Sequence, residues 1–356
     1  MKVSYFETGR YEPASDIPRG WPVPSGAYDR EAGSKALRGM VDRANFAAAL
    51  GFDWVSLSEH HYSPRILTPS PAVSAAWLAA RVPDIKIALL GPIVPTSNPI
   101  RVAEEFAMLD ALAPGRIVAG LLRGTTVEYL SYDLNPAESR GRTDEGMELI
   151  LKAWSEPEPF GWQGRYFRYR TVSIWPRPGA MPTYILGTSA EAGAFAARHH
   201  LGLGLSYGSF EAMALSARYY RSQCAEHGWT PGRDAIVYRA NMILGETDAA
   251  AEAILRNRDK QPSFQPRGRL RDALIAADVT RNVAGEKRTA NVGGVLPVSF
   301  CGGPDRVVEQ IRTCRETMGA GVLDLSLTDP GSGGLDAMLS ALDLFGRTVL
   351  PRIRDI

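Results

Sequence analysis

The residues best suited to chemistry fall where extended segments give way to loops. Trp54 to Ser58 reads as a strand and runs directly into Glu59-His60-His61. Side chains alternate along a strand, so Ser56, Ser58 and His60 share one face while Val55 and Leu57 share the other. If the apolar face meets helices, two hydroxyls and an imidazole face inward, where a group titrating near neutral pH can give or take a proton. His61 falls on the opposite parity, and the same residues read equally as a histidine pair on a surface loop. No metal is expected: His199, His200 and His227 all lie in helical patterns, and Cys224, Cys301 and Cys314 form no C-x-x-C pair.

Cationic and small polar residues recur at other strand ends. Arg123-Gly124 follows the strand Ile117 to Leu121, and Arg140 stands in Glu138-Ser139-Arg140 just before a long helix from Arg142 to Trp154. Either arginine could be no more than a salt-bridge partner or a solvated charge. Between the strand Thr183 to Leu186 and the helix Ala190 to His199 lies Gly187-Thr188-Ser189, whose free amides and helix dipole suit an anion such as phosphate. Thr188 and Glu191 also satisfy the spacing of a capping box.

These side chains need a scaffold that gathers strand ends. Eight strands alternate with about as many helices: Val3 to Glu7, Trp54 to Ser58, Ile85 to Leu90, Ile117 to Leu121, Thr183 to Leu186, Leu201 to Ser206, Ala235 to Leu244 and Val322 to Leu327. With no G-x-G-x-x-G after the first strand, the pattern predicts a (β/α)8 barrel, a TIM barrel with insertions at its C-terminal face, over an open doubly wound sheet. Phe160 to Pro178 reads as a hairpin insertion and 261–297 as a mobile lid; no domain boundary is visible, so 1–356 is expected to be one domain.

Composition narrows the partners. The 356 residues are 45% hydrophobic and 22% charged, and 40 basic against 39 acidic side chains give a formal net charge of +1, too little for nucleic acid. No apolar run approaches the roughly 20 residues of a membrane span, and the first residues lack a secretory profile, so a cytoplasmic protein is expected. Tyr62, Trp77, Phe106, Tyr129, Trp162 and Tyr207 suggest an apolar small organic substrate at the mouth, though barrel aromatics are more often core.

In order and spacing, Glu59-His60-His61, Pro95-Thr96-Ser97-Asn98-Pro99, Arg101, Glu104, Leu109-Asp110, Gly115-Arg116, Arg123-Gly124 and Glu138-Ser139-Arg140 resemble the bacterial luciferase-like flavin monooxygenases, nearest the luciferase α-subunit branch. Gly302-Gly303-Pro304-Asp305 and the strand near Gly319 to Leu327 fit as well. The resemblance implies a barrel that takes reduced FMN from a separate flavin reductase, adds molecular oxygen at the flavin C4a carbon to give a peroxyflavin, and oxygenates a second molecule. It implies His60 as the catalytic residue, Arg123, Arg140, Gly187, Thr188 and Ser189 as cofactor-binding residues, and a non-proline cis peptide at Leu90-Gly91 beneath the flavin. A homodimer is implied too. Thr188 and Ala192 depart from an acidic residue and a threonine in the luciferases, which alters the phosphate grip. Alternatives within reach are a deazaflavin-dependent oxidoreductase of the same barrel superfamily and a non-catalytic partner subunit.

Overall fold

Strand parity explains the architecture. In the computed structural model, which describes residues 1–13, 16–18, 20–259, 272, 273, 276, 281–283, 297–327 and 334–356, eight parallel strands close into a barrel. They are β1 (Lys2–Phe6), β2 (Trp54–Leu57), β3 (Lys86–Ile93), β4 (Ile117–Leu122), β7 (Thr183–Leu186), β8 (Gly202–Ser206), β9 (Ile236–Leu244) and β11 (Val322–Ser326), neighbours in that order, with β11 returning to β1. Two strands, β5 (Phe160–Gln163) and β6 (Arg168–Val172), form the expected antiparallel hairpin outside the barrel. A further strand, β10 (Val298–Gly302), pairs parallel with the far end of β9.

Alternate residues divide two cores. Trp54, Ala88, Leu90, Val118, Tyr184, Val237 and Val322 fill the barrel, while Val55, Leu57, Ile87, Leu89, Ala119 and Leu323 pack outward against the helices. Gly202 and Gly204 are required there, because a Cβ at either would collide with Tyr184 or Leu186 on the neighbouring strand. The barrel interior is therefore a packed core.

Helix boundaries follow their caps. Asp29 caps Arg30–Arg38, Asn98 caps Pro99–Leu112 and Ser209 caps Phe210–Glu226. Apolar residues recur at helical spacing from Leu37 to Leu50, which predicts one helix there, but the chain forms two, Arg30–Arg38 and Met40–Ala49, because it turns at Gly39. Periodicity missed the short helix Thr126–Ser131 and the C-terminal helices Gly334–Thr348 and Leu350–Ile353. No helix among the described residues is long and apolar enough to cross a membrane. Most of the lid expected at 261–297 lies outside the described residues.

Candidate functional site

Strand β2 ends at Leu57, so alternation does not carry as far as the histidines; hydrogen bonds aim them instead. His60 leaves the strand end and turns its Nδ1 to Glu128 Oε1 at 3.1 Å, with a third of its side chain exposed at the mouth. Glu128 is fully enclosed and belongs to the helix Thr126–Ser131, where it also accepts from the Thr125 amide at 2.9 Å and from the Thr125 hydroxyl. Burial works to raise the Glu128 carboxyl, but the His60 hydrogen bond and charge and the Thr125 contacts outweigh it and hold the carboxyl below its ordinary value. Whenever the ring is in its neutral form, a carboxylate there accepts from His60 Nδ1–H and leaves the lone pair on Nε2. The Glu128 contribution is present above the ordinary carboxylate range and is lost only as pH falls through its depressed value.

His61 goes elsewhere. Its Nε2 meets Glu59 Oε1 at 2.9 Å in a buried pair, and Tyr132 stands edge-on to its ring. Glu59 ties this pair to the next strand, because its Oε2 accepts from the Ile93 amide at 2.9 Å and its own amide donates to the Gly91 carbonyl at 3.3 Å. The Leu90-Gly91 peptide just before these contacts is cis. A methyl group at Gly91 would stand 2.5 Å from the Gly120 carbonyl oxygen of β4, a backbone atom that cannot swing aside. Gly91→Ala is accordingly expected to cost about 1–3 kcal/mol, as overpacking does. Gly232→Ala, which meets open space, should stay within about 0.5 kcal/mol. Urea unfolding midpoints compare the two.

The arginines converge on one side of the mouth. Arg123 follows β4, and Arg140 lies inside the first turn of the helix Ser139–Ser155, not ahead of it as the sequence pattern suggested. Arg140 Nη1 pairs with Asp144 at 3.0 Å and Nη2 donates to Ser189 Oγ at 3.2 Å, while its Nε is buried without an acceptor among the described residues. Burial raises the Asp144 carboxyl, against the pull of the Arg140 and Arg123 charges. Burial likewise opposes ionisation of Glu191, yet local amide and Ser189 hydrogen bonds and the charges of Arg140 and Arg123 hold that carboxyl below its ordinary value. Tyr129 is driven the other way, raised by burial despite the same two cations, and donates to the Gly124 carbonyl at 3.2 Å.

Ser189 is the N-cap of Ala190–Arg198 and accepts from the Ala192 amide. The capping box read at Thr188 and Glu191 does not form: Ser189 is the cap and Thr188 precedes it, its carbonyl bonded by Ser216 Oγ at 2.8 Å and by the Val283 amide at 3.2 Å. Gly187 bonds back to the Gly204 carbonyl, which holds the turn against β8. Among the aromatics, Phe106 packs on Trp154 in the outer layer, Trp77 lies on the helix Pro71–Ala79 and Trp162 bonds Glu145 from the hairpin, so these three do not line the mouth. Sequence reasoning passed over Glu128, although Thr125-Thr126-Val127-Glu128 carries a capping-box spacing that could have flagged it.

Residues 20–321 match the family described as luciferase-like monooxygenase. The chain belongs to that family. Its members include flavin monooxygenases and F420-dependent oxidoreductases. An alkanal monooxygenase alpha chain of Photorhabdus luminescens is 22% identical over 346 residues, 90% of this chain and 93% of that one. An F420-dependent glucose-6-phosphate dehydrogenase of Intrasporangium calvum is 31% identical over 173 residues, 46% of this chain and 50% of that one. The chain spans about half the length of the curated relatives it matches at 30% identity or more. The crystal structure of monooxygenase RslO1 from Streptomyces bottropensis has the same fold, with a TM-score of 0.76, 23% identity and 99% of both chains covered.

Proposed function

We propose that this family member is the oxygenating component of a two-component flavin monooxygenase, taking reduced FMN from a flavin reductase and oxygenating a small organic substrate with molecular oxygen. One observation carries the cofactor end of this reading: Arg140 and Ser189 meet at a helix N-terminus beside Arg123, with the buried Arg140 Nε lacking an acceptor among the described residues. A phosphate would supply that acceptor and complement the cations and the dipole. The ring would lie toward Leu90-Gly91, within reach of His60. Bound reduced flavin would supply the electrons that activate oxygen; the protein's own part is to grip the phosphate, exclude water and exchange a proton through His60 Nε2, with Glu128 fixing the tautomer.

The test is oxygen consumption with reduced FMN, set beside anaerobic titrations with FMN and with deazaflavin F420. Tight F420 binding with no response to FMN would overturn the reading in favour of hydride transfer, the alternative supported by the similarity to the F420-dependent dehydrogenase.

Arg140→Ala and Ser189→Ala are expected to weaken FMN binding about 10-fold or more while leaving riboflavin, which has no phosphate, nearly unchanged. Fluorescence titration with both flavins checks this; equal losses would mean that the two residues only support the fold. A homodimer is the proposed assembly, supported by Val73, Trp77, Met108 and Leu112, which stand exposed on the adjacent helices Pro71–Ala79 and Pro99–Leu112.

A further inference from the structure

His60 lies beyond the end of β2, so its aim depends on what holds the chain on either side of it. On the near side the Glu59 amide donates to the Gly91 carbonyl of β3 at 3.3 Å. On the far side the holding groups come from the loop after β1, forty residues earlier in the chain. The Trp21 indole Nε1 donates to the His61 carbonyl at 3.1 Å, and the Val23 amide donates to the Tyr62 carbonyl at 3.0 Å. Trp21 is buried, and its ring stacks on that of Tyr62 with centroids 6.1 Å apart.

Tyr62 is the residue that needs such holding. Its φ of 57° lies in the left-handed region, which a residue with a Cβ keeps only where its surroundings enforce it. The two bonds from the β1 loop clamp the peptide planes on both sides of the Tyr62 Cα. The Tyr62 hydroxyl also donates to the Ser131 carbonyl at 3.4 Å, in the helix that carries Glu128. His60 and Tyr62 thus tie the same two segments together, and Trp21 braces the peptide between them. A ring kept for bulk alone would not need its N–H. Here that N–H meets a buried carbonyl, which loses its donor if the indole is replaced.

We propose that Trp21 is a positioning residue for His60: its indole N–H, through the His61 carbonyl, holds the left-handed turn at Tyr62 that keeps the imidazole Nδ1 on Glu128. The residue acts through the backbone and touches no group assigned to the cofactor. With the donor gone, the His61 peptide is free to rotate, the turn relaxes, and the ring loses its fixed partner. Misplacing a reacting group by about 1 Å can cost on the order of 100-fold in rate, so a brace this far from the chemistry has consequences there. The inference rests on the proposed function for one point only, that His60 exchanges the proton. The orientation of its ring is a property of the protein without cofactor.

The test compares Trp21→Phe, which keeps an aromatic ring and removes the donor, with Trp21→His, which loses bulk but can place a ring N–H where the indole's stood. The first readout needs no cofactor. With isotope-labelled histidine in the full-length protein, the ring-nitrogen resonances of His60, identified by their absence from His60→Ala, report its tautomer at a pH where the ring is neutral. The parent and Trp21→His are expected to carry the proton on Nδ1, and Trp21→Phe to show a mixture. In turnover, Trp21→Phe should lower the ratio of product to oxygen consumed by about 10-fold, with FMN affinity and substrate KM kept, and Trp21→His should recover part of it. If Trp21→Phe does not fold, Trp21→His alone decides: an Nδ1 tautomer supports the proposal and a mixture overturns it. An unchanged tautomer in folded Trp21→Phe, or a histidine variant no better than the phenylalanine one, would show that Trp21 only fills space. A shifted tautomer with an unchanged product ratio would overturn the catalytic reading of His60 and leave this one standing.

Discussion

His60→Ala is expected to fold, to bind FMN as the parent does, and to lose substrate oxygenation by about 10²–10⁴-fold, the usual worth of a positioned acid or base. The expectation rests on a partly exposed imidazole whose Nδ1 is fixed by a buried carboxylate, leaving Nε2 for the reacting molecule. Oxygen should still be consumed, with peroxide released in place of product, so the ratio of product to oxygen consumed at equal flavin saturation is the decisive measurement. Glu128→Gln should lower the same ratio by a smaller factor without changing flavin affinity, because it loosens the tautomer and touches nothing else of the cofactor. Glu128→Asp should restore part of it, a rescue that a purely structural Glu128 would not show. His61→Ala removes the partner of buried Glu59 and should reduce stability instead. If His61→Ala abolishes oxygenation while His60→Ala behaves as the parent, the catalytic role passes to His61.

The largest loss of stability is expected at Arg43. Its Nε and Nη2 meet Glu7 Oε2 and Oε1 at 2.7 and 2.9 Å, and Nη2 also donates to the Ala36 carbonyl at 2.9 Å. Glu7 is wholly buried just past β1, where it also accepts from the Gly9 amide at 2.6 Å and from the Tyr5 hydroxyl. The Tyr5 hydroxyl is pushed well above its ordinary value, by burial first and by the Glu7 charge second. Arg43→Ala strands a buried carboxylate and should cost about 3–5 kcal/mol. Arg43→Met/Glu7→Gln removes both charges, keeps an acceptor for Gly9, and should lose far less. Urea unfolding of both variants checks this; equal loss in the single and double variants would show that the pair is not what holds this corner.

How much of this was legible beforehand depends on the range over which each feature is encoded. Alternation and turn residues are local, so the eight barrel strands, the hairpin after Phe160 and the small polar residues before Ala190 could be read from neighbouring positions. Strand parity also placed Ser56 inside the barrel, because the period of two is set by the backbone itself. The cis peptide at Leu90-Gly91 matched an expectation drawn from family resemblance; no periodic pattern pointed to it.

Pairings between distant residues were decided only by the closed barrel. His60 finds Glu128 across 68 residues, Arg140 finds Ser189 across 49, and Ser56 finds Asp324 across 268. A sequence pattern gives the face on which each of these stands, but not the distance across the ring that brings the faces together. Even the aim of the histidines was settled this way: β2 stops at Leu57, and what turns His60 to the mouth and His61 inward is the position of two carboxylates, Glu128 and Glu59. Amino-acid type and local periodicity determined the barrel and its polar strand ends, whereas the partners that charge, orient and bury those ends exist only once strands β1 and β11 have met.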